Sequence, residues 1–72
     1  MNKQQAIEII EREPMGGAQY YDTKNDRFYI KFSGKWYRFN GDEWVMHKYV
    51  LYSARLNFKP MHEILEISLG ED

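Results

Sequence analysis

Cysteine is absent from the sequence, so neither a disulfide framework nor a thiolate metal site can stabilise the fold. Histidine is scarce as well: His47 and His62 are the only two, fifteen residues apart, and no close acidic pair completes a zinc pattern. We therefore predict no metal and no cofactor. No apolar run approaches the roughly 20 residues of a membrane span, and the N-terminal residues resemble no signal peptide. We expect a soluble, cytosolic protein that does not contact membranes.

Catalytic groups in recognisable arrangements are also missing. The serines Ser33, Ser53 and Ser68 lie in no nucleophile elbow, and Gly16-Gly17 lacks the spacing and the lysine of a phosphate loop. The carboxylate pairs Asp42-Glu43 and Glu71-Asp72 lie in a predicted turn and at the chain end. By the criteria for an active site, the sequence predicts a protein that is not an enzyme.

Aromatic residues are abundant, at twelve of 72. A chain of this length buries only roughly 60% of its unfolded surface, so large side chains must supply the core. We predict one small domain over residues 1–72 with a largely aromatic core. Oligomerisation is the other route by which so short a chain gains stability.

The N-terminal residues predict a helix over residues 3–12. Asn2 and Gln5 form a capping-box pattern, and apolar residues recur at helical spacing from Ala6 to Ile10. Pro14 ends the helix and Gly16-Gly17 allows the chain to turn.

The pattern then changes to a period of two, which predicts an antiparallel β-meander of three to four strands. The predicted strands are Ala18–Asp22, Arg27–Phe32, Lys35–Asn40 and Asp42–Met46. Ser33-Gly34 and Asn40-Gly41 predict two-residue hairpin loops. The fold class is therefore α+β, with the N-terminal helix packed on the meander.

The turns also predict the register and hence the two faces of the sheet. In the first hairpin they place Tyr20 opposite Tyr29, and in the second they place Lys31 opposite Trp36 and Tyr29 opposite Arg38. In the third hairpin they place Arg38 opposite Glu43 and Tyr37 opposite Trp44. One face then carries the apolar residues that the helix covers, namely Tyr21, Phe28, Ile30, Phe32, Tyr37, Phe39 and Trp44. The second face carries Tyr20, Tyr29, Lys31, Trp36, Arg38, Glu43 and Val45.

The C-terminal third is ambiguous from sequence. Residues 47–58 fit a helix through Tyr49, Tyr52 and Leu56, and equally a strand through Tyr49, Leu51 and Ser53. After Lys59-Pro60, apolar residues at helical spacing predict a C-terminal helix that begins near Met61 and ends by Gly70. The alternation over Glu63–Leu69 leaves a last strand as the alternative.

Charge is segregated along the chain although the net charge is only −1. Residues 27–59 hold seven basic and two acidic side chains, whereas residues 1–26 hold three and five, and residues 60–72 hold none and four. Either the basic middle faces an acidic partner or a polyanion, or the acidic ends pack beside it.

The second face supplies the candidate site: Tyr20, Tyr29, Lys31, Trp36 and Arg38. Trp, Tyr and Arg are the residue types enriched in protein-interaction hot spots, and aromatic rings beside cations also stack nucleobases. The third interpretation is that the C-terminal segment folds over this face and makes it a second core layer. The sequence leaves all three open.

Three stretches, Ile7–Pro14, Gly17–Asp22 and Lys35–Trp44, together resemble a type of small uncharacterised protein found in bacteriophage and prophage genomes. The shared features are a helix ending in proline, Gly-Ala-x-Tyr-Tyr-Asp, and Lys-Trp-Tyr-x-Phe-x-Gly-x-x-Trp. The resemblance implies a phage origin, a location in the host cytoplasm and no established activity.

These observations favour a phage-encoded binding protein that blocks a host factor, such as an antiviral-defence component, in the manner of an anti-CRISPR or another anti-defence inhibitor. The first alternative is a sponge that sequesters a signalling nucleotide or single-stranded nucleic acid on the second face. The second is an accessory or structural homo-oligomer of the phage.

Overall fold

We analysed a computed structural model of the chain, which describes residues 1–47, residue 50 and residues 52–70. The elements in chain order are α1 (Lys3–Glu11), β1 (Tyr20–Asp22), β2 (Arg27–Phe32), β3 (Lys35–Phe39), β4 (Trp44–His47), α2 (Tyr52–Arg55), β5 (Phe58–Pro60) and α3 (Met61–Leu69). The five strands form one antiparallel sheet in the order β4-β3-β2-β1-β5. The α+β prediction is confirmed.

Helix α1 begins with the predicted capping box. The Asn2 side chain accepts a hydrogen bond from the Gln5 amide at 2.8 Å, and the Gln5 side chain accepts one from the Asn2 amide at 2.9 Å. These bonds satisfy two donors that a helix start leaves unpaired. After α1, Gly16 and Gly17 have φ values of +91° and +87°, a region that residues with a side chain rarely adopt, and the chain reverses into β1.

The first two hairpins have the predicted register. Tyr20 pairs with Tyr29 across β1 and β2, and Lys31 pairs with Trp36 across β2 and β3. Ser33 and Gly34 both have positive φ, at 53° and 76°, as a two-residue type I′ turn requires.

The third hairpin differs from the prediction. Its loop has four residues, 40–43, rather than two, so Phe39 pairs with Trp44 and Arg38 pairs with Val45. The reason is the Asn40 side chain, whose oxygen accepts hydrogen bonds from the amides of Asp42 and Glu43, both at 2.9 Å. The predicted pairs Arg38–Glu43 and Tyr37–Trp44 are therefore wrong. Because the pairing shifts by two positions, Trp44 nevertheless stays on its predicted face.

Strand β5 was not expected. It pairs antiparallel with β1 and places Phe58 opposite Asp22 and Pro60 opposite Tyr20. Proline lacks the amide that a central strand must donate, so Pro60 is compatible with this edge position. The meander thereby gains a fifth strand from a distant part of the chain.

The C-terminal helix α3 confirms the predicted helix, and the alternative of a last strand over Glu63–Leu69 is wrong. Residues 47–58 follow neither prediction as a unit, because β4 ends at His47, α2 covers Tyr52–Arg55 and β5 begins at Phe58. Tyr49 and Leu51, on which those predictions also relied, lie outside the described residues, as do Glu71 and Asp72. None of the helices in the described ranges has the length and apolar character needed to cross a bilayer.

Helices α1 and α3 pack against each other on one face of the sheet. The main core lies between these helices and the sheet. Ala6 and Ile9 of α1 and Ile64 of α3 meet the rings of Tyr21 and Phe28. Ile64 and Ala6 have no exposed surface. The helices therefore cover the part of the sheet around β1 and β2, on the predicted face.

Polar contacts fix the turn between β1 and β2. Asp22 is 1% exposed, and its carboxylate accepts hydrogen bonds from the amides of Lys24 and Asn25 and from the Asn25 side chain. In the same turn, Asp26 accepts hydrogen bonds from the Tyr21 hydroxyl and from Arg12 at the end of α1. The hydrogen bond from Tyr21, together with Arg12, lowers the pKa of Asp26.

Candidate partner-binding face

The sheet face turned away from α1 and α3 carries the predicted site, and we call it the basic face. Alternation along the paired strands assigns its residues, which are Tyr20, Asp22, Arg27, Tyr29, Lys31, Trp36, Arg38, Val45, His47, Phe58 and Pro60. Glu43, predicted for this face, lies instead in the loop that precedes β4.

Four aromatic rings form a cluster on the basic face. Phe58 stacks on Tyr29 with 4.6 Å between ring centroids, and its centroid lies 5.6 Å from that of Trp36 and 6.0 Å from that of Tyr20. The Tyr20 and Trp36 rings are 5.7 Å apart. These distances fall within the 4.5–7 Å range of favourable aromatic pairs. The Phe58 ring therefore contacts side chains of β1, β2 and β3, whereas the backbone of β5 pairs with β1.

The five predicted site residues share one face but differ in accessibility. Tyr29 is only 6% exposed, beneath Phe58, with His47 at its edge. Tyr20, Trp36 and Arg38 are partly buried, and Lys31 is exposed. The expectation that the C-terminal segment covers this face thus holds for Tyr29, whose ring belongs to a second small core. The surface available to a partner consists of Tyr20, Trp36 and the cations around them.

Cations surround the exposed part of the cluster. The Lys31 ammonium lies 5.6 Å from the centre of the Trp36 ring, within cation–π range. Arg27 and Arg38 lie on the same face, and Arg55 of α2 lines a cavity with Trp36. The ion pairs among the described residues are Arg12–Asp26 and Lys59–Glu63. Neither pair neutralises a cation of this face.

Exposed glutamates lie on the helices at the opposite side of the sheet, whereas the acidic residue of the basic face itself, Asp22, is 1% exposed. Helices α1 and α3 carry exposed Glu8, Glu11, Glu63 and Glu66. Of the two interpretations of the segregated charge, intramolecular neutralisation applies to Lys59, which pairs with Glu63 at 3.6 Å. For Arg27, Lys31, Arg38 and Arg55 the described contacts favour a basic surface that faces away from the acidic helices.

His47 reports the electrostatic character of this face. Burial lowers its pKa from the ordinary value of 6.5, and the nearby Arg38 and Arg27 lower it further. A neutral imidazole at neutral pH follows, so His47 adds an aromatic edge to Tyr29 rather than another charge.

Two cavities open on or beside the basic face. One of about 320 Å³ is lined by Tyr20, Lys31, Trp36, Arg55, Phe58 and Pro60. A second of about 570 Å³ lies at the ends of β2 and β3 and includes Arg12, Arg27 and Arg38. The second cavity is also lined by Asp26, which pairs with Arg12, so Arg27 and Arg38 are the cations that it offers to an anionic group on a partner. The first cavity offers Lys31 and Arg55.

Sequence reasoning missed Phe58, Pro60 and Arg55. A strand of three residues is too short to show a period of two, so Phe58 gave no signal that it would join the sheet. Arg55 lies in the segment before Phe58, whose secondary structure the sequence left ambiguous, so its position relative to the sheet could not be predicted. Within the described part of the chain, no group of three or more metal-ligating side chains comes together.

The chain matches no protein-family model, no curated protein and no solved structure. The resemblance to phage proteins stays a prediction.

Proposed function

We propose that this protein is a phage-encoded, non-enzymatic binding protein that blocks a host factor by docking its basic face on an acidic surface of that factor. An antiviral-defence component is the class of target we expect. The observation that carries the proposal is that Lys31 and Arg55 lie beside the partly exposed Trp36, with Arg38 two residues along the same strand on the same face.

The geometry supports contact with a protein in two ways. Trp36 and Tyr20 are held by neighbouring rings, so little conformational entropy is lost when they become buried, as hot-spot anchors require. The cations around them lie opposite the acidic helices, so an approaching acidic surface is attracted by one side of the molecule and repelled by the other.

The test is affinity capture from lysate of the host, followed by titration of the purified captured protein. Trp36→Ala should weaken binding by about 2 kcal/mol, or roughly 30-fold. Lys31→Glu should weaken binding more at low salt than at high salt, because the contribution of Lys31 to the affinity is electrostatic. An affinity unchanged by both variants would exclude the basic face as the binding site.

The matched control is Leu69→Ala, at the end of α3, where the side chain is 75% exposed on the opposite layer. It should leave the affinity unchanged. Circular dichroism of each variant separates a lost contact from a lost fold.

Sequestration of a nucleotide or single-stranded nucleic acid is the second candidate, favoured by the cavity that places Tyr20 and Trp36 beside Lys31 and Arg55. It ranks below protein binding because Tyr29 is buried under Phe58 and offers no free ring face for stacking. The cavity, at about 320 Å³, is also near the lower limit of roughly 300–1,000 Å³ for ligand pockets.

Calorimetry distinguishes the two candidates. Cyclic dinucleotides and short single strands are titrated into the protein with no other protein present. A saturable heat of binding that disappears in Trp36→Ala would show that the basic face binds the nucleotide itself. Sequestration would then be favoured over protein binding.

A further inference from the structure

The larger of the two cavities, of about 570 Å³, lies at one end of the sheet. It opens where β2 begins and β3 ends, between the turn at residues 23–26 and the loop at residues 40–43. We call this cavity the end cleft. Its polar lining includes Asn25, Arg27, Arg38 and Asn40, whereas Lys31, Trp36 and Arg55 line the other cavity.

Two arginines from adjacent strands line the end cleft. Tyr29 of β2 pairs with Arg38 of β3, so Arg27, two residues before Tyr29, is the diagonal neighbour of Arg38 on the same face of the sheet. Diagonal neighbours lie roughly 7–8 Å apart. Because an arginine side chain is long and ends in a planar fork of donors, two arginines at this spacing can donate to one ligand.

The carboxylates closest to these arginines have other partners. Asp22, opposite Arg27 on β1, accepts hydrogen bonds from the backbone and the asparagine of the following turn, and Asp26 pairs with Arg12. Neither Arg27 nor Arg38 forms an ion pair with a residue that the structure describes. Since like charges on neighbouring strands repel, an anion between the two guanidinium groups would be stabilised by both.

Asn40 supplies a third donor at the end cleft. Its side-chain oxygen accepts hydrogen bonds from the amides of Asp42 and Glu43, both at 2.9 Å, and these bonds hold the side chain in place. They do not use the two hydrogens of Nδ2, which are therefore the part of this side chain that can donate to a ligand in the cleft.

This set of donors suits a phosphate better than a carboxylate. One guanidinium fork already pairs with both oxygens of a carboxylate, whereas a phosphate ester carries up to two negative charges and three acceptor oxygens, enough for two forks and an amide. The volume of about 570 Å³ lies within the roughly 300–1,000 Å³ of small-molecule pockets. The rest of such an ester therefore has room beside the half-buried Phe39, which also lines the cleft.

We propose that the end cleft binds the phosphate group of a small phosphate ester, with Arg27 and Arg38 donating to its oxygens and Asn40 Nδ2 as the third donor. The site shares Arg38 with the basic face but does not use Trp36. It therefore neither requires nor excludes the function proposed above.

The test is a titration of the isotope-labelled protein with inorganic phosphate, followed by NMR at constant ionic strength and about pH 7.5, where phosphate carries close to two charges. The Nε–H signals of Arg27 and Arg38 should shift and saturate, with a dissociation constant on the order of 1 mM. Arg27→Gln and Arg38→Gln should each raise this constant at least about tenfold, because each removes a charge-assisted hydrogen bond. Signals that do not saturate at about 20 mM phosphate would overturn the proposal.

The matched control is Arg55→Gln, which removes the same charge from the cavity beside Trp36. It should leave the dissociation constant for phosphate within about twofold of wild type. Equal weakening by Arg55→Gln and Arg27→Gln would mean that phosphate responds only to net charge, and the site would be wrong. Arg27 is exposed, so its variant should fold even if Arg38→Gln, at a partly buried position, does not.

His47 gives a second measurement of the same site. After burial, Arg38 and Arg27 are the causes that lower the pKa of His47, so an anion bound between these arginines should raise that pKa toward its ordinary value. Sulfate is the probe, because it stays a dianion throughout the pH range in which an imidazole titrates. Sodium chloride of equal ionic strength is the comparison, since screening alone also raises the pKa. An equal rise in the two salts would contradict binding between the arginines.

Two further probes distinguish a small ester from a phosphorylated protein. Phenyl phosphate should bind at least about threefold more tightly than inorganic phosphate, because its ring gains contacts beside Phe39, and phenol should not compete with it. A phosphoserine peptide should bind no more tightly than phenyl phosphate. If the peptide bound more than about tenfold more tightly, the small-molecule ligand would be wrong and a phosphorylated protein segment would replace it.

Discussion

The two faces of the sheet are both lined with aromatic rings, but they are closed by different means. On the helix side, Tyr21 and Phe28 lie under aliphatic side chains of α1 and α3, including Ile9 and Ile64. On the basic face, the three-residue strand β5 supplies Phe58, which covers Tyr29 and leaves Trp36 and Tyr20 partly exposed. A layer of two helices seals the rings beneath it, whereas one ring seals only its immediate neighbour.

This difference gives the two sides of the sheet different physical properties. The helix side has aliphatic packing of the kind that costs most to disrupt. The basic face combines partly exposed rings with cations that form no ion pair among the described residues. Such an arrangement adds little to folding but suits recognition.

The largest effect is expected at Ile64, which is fully buried between the helices and the sheet. Ile64→Ala should lower the free energy of unfolding by about 3–4 kcal/mol, because it removes buried methyl groups and leaves a cavity. Urea denaturation measures this loss. Leu65→Ala, one residue along α3 and 47% exposed, is the control and should cost less than about 1 kcal/mol. Equal losses for the two variants would contradict the position of the core.

A smaller effect is expected at Phe58, which covers the second cluster. Phe58→Ala should lower the free energy of unfolding by about 2 kcal/mol, less than a fully buried phenylalanine, since Phe58 is only partly buried. It should also change the near-ultraviolet circular dichroism, because Tyr29 and Trp36 lose their neighbouring ring.

Tyr52→Ala is the control for Phe58, since Tyr52 is 70% exposed on α2. Its unfolding free energy should stay within about 0.5 kcal/mol of wild type. If Phe58→Ala changed the free energy of unfolding as little as Tyr52→Ala, the claim that Phe58 of β5 covers the aromatic cluster of the basic face would be wrong.

The smallest effect concerns the pH dependence due to His47. Because burial and then Arg38 and Arg27 lower the pKa of His47 below 6.5, the folded state favours the neutral imidazole. Its contribution to stability is present above pH 6.5 and is lost as the pH falls through the lowered value. Titration of the imidazole by NMR should give this lowered pKa.

Arg38→Gln removes one of the two cations beside His47, and the pKa of His47 should then rise toward its ordinary value. A pKa that does not move would show that the cations of the basic face are too well screened to influence one another.

The meander was predictable because its signals are local. A period of two over β2 and β3, with Ser33-Gly34 between them, specifies a hairpin and assigns Lys31 and Trp36 to the same face. The capping box at Asn2 and the helical spacing after Pro60 likewise predicted α1 and α3. Even the mistaken loop at Asn40-Gly41 preserved the faces, because the true pairing is shifted by two residues.

Accessibility of the site was decided by the tertiary structure. Tyr29 and Trp36 share the basic face, and alternation alone treats them as equivalent. Their difference arises from β5, which joins the sheet through long-range contacts such as the hydrogen bond from Thr23 to the Asn57 carbonyl, 34 residues apart. No local pattern encodes such a contact, since a three-residue strand is too short to show one.

The amino-acid pattern by itself therefore determined which side chains share a face, because alternation and turn geometry act between near neighbours in the chain. Only the tertiary structure decided which of those side chains are covered. That outcome depends on where β5, α1 and α3 pack, and so on contacts between residues far apart in the sequence.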